Sequence, residues 1–185
     1  MRKIGVLVSG RGSNLQAIMD RIADGYLPLE IAVVISDKSD AFALERAQKA
    51  GIKTVAVERK ACASKDEFEA KITAALEENG CELVVLAGFM RVLGAEFCDN
   101  VKAINLHPSI LPLFKGAHAI KESFESNMQV GGITVHWVSS ELDGGKIIAQ
   151  KTFARKNRTF KQWEEKIHKL EHKLLPKTII SLLKD

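Results

Sequence analysis

The sequence predicts an α/β fold: a doubly wound, mainly parallel sheet with helices on both faces and antiparallel strands added late in the chain. Three observations lead there. Short apolar runs alternate with helix-like stretches over most of the chain. The runs are continuously apolar, as strands covered on both faces must be. Late in the chain, two strand-like runs follow one another across a glycine-rich turn with no helix between them.

Each element has its own warrant. Ile4 to Val8 is the first strand, and Ser13 to Asp24 follows as a helix with Leu15, Ile18, Met19 and Ile22 on one face. Ile31 to Ile35 is the second strand, and the helix Ala41 to Ala50 is stopped by Gly51. Thr54 to Val57 is the third. Ser64-Lys65-Asp66-Glu67 is a capping box that opens a helix ending at Gly80. Leu83 to Ala87 and Val101 to Asn105 are the fourth and fifth strands. Ile133 to Val138 and Ile147 to Phe153 form the antiparallel pair, joined through Glu141-Leu142-Asp143-Gly144-Gly145. A second capping box, Thr159-Phe160-Lys161-Gln162, opens the last helix, whose apolar seam is Phe160, Trp163, Ile167, Leu170 and Leu174. Pro176 is expected to kink or restart it.

The chain has 185 residues, enough for one domain with a buried core. Its net charge of +4 is too small to mark a nucleic-acid protein. The excess sits late: residues 151–177 carry 9 basic and 3 acidic side chains, against 17 and 19 in residues 1–150. That stretch reads either as a solvated lysine-rich helix face or as help for an anionic substrate. The longest apolar run, Leu83 to Met90, is far below the roughly 20 residues of a membrane span. Cys62, Cys81 and Cys98 make an odd number with no C-x-x-C pair. Reduced thiols, and a cytoplasmic setting, are the expectation.

Three places could carry chemistry. Ser9-Gly10-Arg11-Gly12-Ser13-Asn14-Leu15 lies between the first strand and a helix N-terminus, where unpaired N–H groups and the dipole favour an anion. Leu15 stands where a dinucleotide fingerprint needs a third small residue, and no lysine follows, so neither NAD nor ATP fits. A small phosphorylated metabolite does; a ligand-free tight turn is the alternative. Asn105-Leu106-His107-Pro108 ends the fifth strand, the edge where open α/β sheets bind ligands. Asn105 and His107 share a face and could aim an amide N–H and an imidazolium at one developing negative charge. Asp143, in an Asp-Gly turn, matters only if folding brings its charge to His107, favouring the protonated ring.

His118 could line the same cleft or be a loop residue, and His136 reads as a structural strand histidine. His168-Lys169-Leu170-Glu171-His172 matches the H-x-x-E-H pattern of inverted zinc peptidases. Little chain follows to supply a third ligand, and the seam of the same helix explains it as packing.

Taken in order, Val8 to Gln16, Leu86 to Arg91, Asn105 to Pro112 and Glu141 to Gly145 resemble the phosphoribosylglycinamide formyltransferases of the formyltransferase family. The resemblance covers nearly the whole chain. It implies the formyltransferase fold and a single domain over residues 1–185, with a phosphate-binding half at about 1–100 and a folate and catalytic half at about 101–185. It implies transfer of a formyl group from 10-formyltetrahydrofolate, as cosubstrate, to the amine of glycinamide ribonucleotide in purine synthesis. Residues matching Asn105, His107 and Asp143 are catalytic in that family. Those matching Gly12, Ser13, Asn14 and Glu171 hold the ribonucleotide. Those matching Lys65, Met90, Arg91, Val92, Leu93 and Asn105, with the turn Ser140, Glu141, Leu142, Asp143 and Gly144, hold the folate. Lys65 stands where relatives usually have arginine, and Lys146 where they have proline.

An amine attacking a formyl carbon gives a tetrahedral oxyanion, which needs donors and proton transfer but no metal and no protein nucleophile. Small-molecule substrates are expected, with neither nucleic acid nor membrane as partner, in a monomer or homodimer. Methionyl-tRNA formyltransferase and formyl-folate deformylase share the Asn-x-His and Asp-Gly segments but usually carry a further domain, for which 185 residues leave no room. A non-catalytic phosphometabolite-binding module remains the alternative of another class.

Overall fold

The computed structural model describes residues 1–184 as two compact units, Met1–Ile104 and Asn105–Asp185, the last residue excepted. In the first unit, β1 (Arg2–Val8), β2 (Leu29–Ser36), β3 (Thr54–Ala56) and β4 (Leu83–Leu86) lie in the order β3-β2-β1-β4, all parallel. The register sets Ile4 between Ile31 and Leu83, and Leu7 between Ile35 and Leu86. Every one of those six side chains is buried, which is why the runs are apolar without alternation.

Helices α1 (Ser13–Ala23), α2 (Phe42–Lys49), α3 (Lys65–Glu78) and the short α4 (Ala95–Asn100) make the crossovers. Ser64 caps α3 as predicted: its Oγ accepts from Glu67 N–H at 3.0 Å. The return bond differs, because Glu67 reaches Ala63 N–H rather than that of Ser64.

Strand β5 (Ala103–His107) runs across the unit boundary. It lies two residues further along than the apolar pattern implied, so His107 as well as Asn105 is inside the strand. The second unit continues with α5 (Ala119–Glu125), β6 (Val130–Trp137), β7 (Ile147–Ala154) and α6 (Phe160–Lys184). Strands β6 and β7 are antiparallel, as predicted, with an irregular register between Val135 and His136.

The Thr159 capping box is complete: Gln162 N–H donates to Thr159 Oγ1 and Thr159 N–H to Gln162 Oε1. The seam of α6 differs from the predicted one. Trp163, Ile167, Glu171, Leu175 and Ile179 are buried at i, i+4 spacing, whereas Phe160 is exposed and Leu170 and Leu174 are half-buried. A polar residue thus occupies a central core position of the helix. Pro176 does not restart the helix, which runs unbroken from Phe160 to Lys184. The proline removes one N–H from a long, packed helix, and its ring is buried. No helix among the described residues is long and apolar enough to cross a membrane.

Candidate active site

The candidate centre lies within the second unit, on β5, β6 and the turn between β6 and β7. Asn105 and His107 are two apart on a strand, so their side chains leave the same face. His107 is almost fully buried, with Nε2 at 2.7 Å from the Phe114 carbonyl and Nδ1 at 3.4 Å from Asp143 Oδ2. Both ring nitrogens therefore face oxygen atoms. Ser109 Oγ donates to the Leu113 carbonyl at 2.6 Å and lies 3.2 Å from the Phe114 carbonyl.

Asp143 reaches His107 because its turn is pressed onto the end of β6. A Cβ at Gly145 would stand 1.7 Å from the Trp137 carbonyl oxygen, so only glycine admits this approach. Asp143 itself adopts φ 49, a left-handed conformation that Asp tolerates better than most residues. Its carboxylate accepts Gly116 N–H at 2.8 Å on Oδ2. Burial pushes the Asp143 carboxyl up, but hydrogen bonding from His136 and Gly116 and the charge of His107 outweigh it, and the group titrates below its ordinary range.

His136 completes the cluster. Its Nδ1 lies 2.8 Å from the Trp137 carbonyl, and its Nε2 lies 3.1 Å from Asn105 Nδ2 and 3.7 Å from Asp143 Oδ1. The second Asn105 amide hydrogen points to Asp143 Oδ1, at 3.4 Å. Lys115 and Glu141, from the two loops flanking the cluster, form an ion pair at 2.7 Å.

In the first unit, Gly12 is the N-cap of α1 with φ 74, and its missing Cβ would stand 2.7 Å from Ala43 Cβ. Arg46 supports the loop by donating from Nε to the Arg11 carbonyl at 2.8 Å. The N–H groups of the first turn of α1 are thereby presented where an anion is stabilised.

The comparisons with known proteins agree with one another. The formyl transferase family pattern matches residues 2–179. The chain belongs to the formyl transferase family. A phosphoribosylglycinamide formyltransferase of Bacillus subtilis is 40% identical over 186 residues, 99% of this chain and 95% of its own length. The crystal structure of phosphoribosylglycinamide formyltransferase from Campylobacter jejuni superposes with TM-score 0.94 at 51% identity, covering 98% of this chain and 97% of that one. The trifunctional purine biosynthetic protein adenosine-3 of Homo sapiens is 38% identical over 177 residues, 94% of this chain; the chain spans 18% of that protein's length.

Against the family's expected site, the structure brings Asn105, His107 and Asp143 together. It adds His136, which lies in β6 with both ring nitrogens partnered, as a structural strand histidine should, and beside an irregular register. Lys65 is paired with Glu69 at 3.6 Å. Met90 and Val92 are exposed, whereas Leu93 is buried and offers only its main chain. Lys146, in place of proline, gives its carbonyl to Trp137 N–H at 2.9 Å, a bond that proline could make equally. Glu171 is buried and accepts from His168 Nδ1 at 2.9 Å, which accounts for the H-x-x-E-H string within one helix. No group of three or more metal-ligating side chains occurs among the described residues. His118 is exposed at the start of α5 and caps nothing.

Proposed function

We propose that the chain transfers the formyl group of 10-formyltetrahydrofolate to the amine of N1-(5-phospho-D-ribosyl)glycinamide in de novo purine (IMP) synthesis. The observation that carries this reading is the part-buried cluster of Asn105, His107, His136 and Asp143 in a chain of this family.

The amine nitrogen attacks the formyl carbon, a C–N bond forms, and the carbonyl oxygen becomes an oxyanion. His107 Nε2–H, which donates to the Phe114 carbonyl, is the donor available to that oxygen, and Ser109 Oγ continues to serve the displaced carbonyl. Asp143 holds the other ring nitrogen and stabilises the imidazolium. As the C–N bond to the folate breaks, the leaving nitrogen gains a proton and the attacking amine loses one, with His107 and Asp143 passing it. Asn105 keeps His136 and Asp143 in register. Neither a metal nor a covalent protein intermediate enters.

For binding, the N–H groups of Gly12, Ser13 and Asn14 receive the ribonucleotide phosphate, and the buried carboxylate of Glu171 serves the same substrate. Main-chain groups of Met90 to Leu93 and of Ser140 to Gly144 read the pterin, with Met90 and Val92 as apolar surface and Lys65 near the folate. Free Cys62, Cys81 and Cys98 accord with a cytoplasmic enzyme.

Purified protein mixed with glycinamide ribonucleotide and a 10-formyl folate should release folate only when both are present. Release without the ribonucleotide would mean hydrolysis, and binding without turnover would leave a phosphometabolite-binding module.

A further inference from the structure

The stretch from Gly88 to Gly94 has neither helix nor strand, yet it is fastened within the first unit, beginning with the Gly88 carbonyl, which accepts from Ser9 N–H at 3.1 Å. Met90 N–H donates to Ser9 Oγ at 2.8 Å, and Gly94 N–H donates to Glu69 Oε1 at 2.8 Å. Between these main-chain bonds, Arg91 Nε donates to Asp37 Oδ2 at 2.7 Å. The bond from Arg91 is the one made by a side chain of the stretch rather than by its main chain. Asp37 follows directly on β2; its side chain is 1% exposed and its other oxygen has no hydrogen-bonding partner. A carboxylate so buried relies on its cationic partner, and that partner, Arg91, is 44% exposed. The pair thus ties a half-exposed loop residue to the end of a core strand.

We propose that Asp37 is a positioning residue for the formyl-folate substrate. By clamping Arg91 it holds Met90 and Val92, 65% and 49% exposed, outward as a preset surface for the flat pterin. This rests on the assignment of Met90 to Leu93 to the folate. Presetting a loop saves the ordering that binding would otherwise require, so its loss appears in folate affinity rather than in the chemical step.

The test is steady-state kinetics with 10-formyl folate and glycinamide ribonucleotide on Asp37→Ala, Asp37→Asn, Arg91→Ala, the double variant Asp37→Ala/Arg91→Ala, and Val92→Phe, with thermal unfolding of each. Asp37→Ala should raise KM for the folate on the order of tenfold, with kcat and the ribonucleotide KM changed less than about twofold. Asp37→Asn, which keeps an acceptor but loses the charge, should fall between. The double variant should bind folate no worse than the weaker single, because the two residues act as one unit. An unchanged folate KM in both Asp37 variants, with Val92→Phe weakening folate, overturns the positioning role and leaves the folate assignment standing. If Val92→Phe also has no effect, the folate assignment fails and the proposal with it. Equal losses for both substrates and kcat would make Asp37 merely structural and also overturn it. Should Asp37→Ala not fold, the KM of Asp37→Asn decides by the same criteria.

Discussion

Asp143 Oδ2 stands 3.4 Å from His107 Nδ1, with the two side chains 7% and 6% exposed. The pair is screened little by water, so each member is sensitive to the loss of the other.

Asp143→Asn should lower kcat by roughly 10²–10³, comparable with removing one oxyanion donor. Asn tolerates the left-handed backbone at this position, so the loss reports on charge rather than on the turn. Combined with His107→Ala, the loss should be far smaller than the product of the singles. Multiplicative single effects would show that the residues work apart.

The depressed titration of Asp143 has a signed consequence. Its folded pKa lies below the unfolded one, so its contribution to stability is present above the ordinary value of 3.8 and is lost as pH falls through the lower folded value. Acid unfolding of the native chain should therefore steepen below about pH 4, and Asp143→Asn should remove part of that dependence. Unfolding midpoints against pH for both proteins check this.

Gly145→Ala places a methyl group against the Trp137 carbonyl, and the turn must move away from β6. The expected result is about 1–3 kcal/mol of destabilisation, with a drop in kcat as Asp143 leaves His107. A variant with normal melting and normal kcat would show that the close approach is dispensable.

Gly12→Val should raise KM for the ribonucleotide, but not by filling the space for the anion. The added side chain meets Ala43 and demands φ 74 of a β-branched residue, so the loop itself deforms. A small melting loss should accompany the KM effect. Weakened folate binding with unchanged ribonucleotide affinity would remove this loop from the phosphate site.

The Glu171 carboxylate raises the titration of His168 by hydrogen bonding, against the opposing effect of burial. The stabilisation is complete below the ordinary histidine value of 6.5 and fades as pH rises through the raised one. Glu171→Gln should bring the His168 titration, followed by NMR, back toward 6.5 and raise the ribonucleotide KM. An unmoved titration would show that the pair does not form in solution.

Local chemistry made much of this protein legible in its sequence. Continuous apolar runs such as Ile4 to Val8 and Leu83 to Leu86 declared a parallel sheet, because a strand buried on both faces has no polar side. Ser64 and Thr159 declared helix starts, since a cap acts within three residues. Asn105 and His107 declared a shared face by their spacing, and the glycine-rich turn between β6 and β7 declared their antiparallel pairing.

What spans long separations in the chain was decided only by tertiary structure. Asp143 meets His107 and His136 through the contact of Gly145 with Trp137, and Asp37 meets Arg91 across 54 residues. His136 looked like one strand histidine among apolar neighbours; the irregular register lies beside it, and the fold sets its ring against the Trp137 carbonyl, Asn105 and Asp143. Glu171 broke the apolar period of α6, and packing of the whole helix, not its local pattern, buried it. Hydrogen bonds and ion pairs are fixed to tenths of an ångström by geometry, whereas sequence periodicity specifies only which face a side chain leaves.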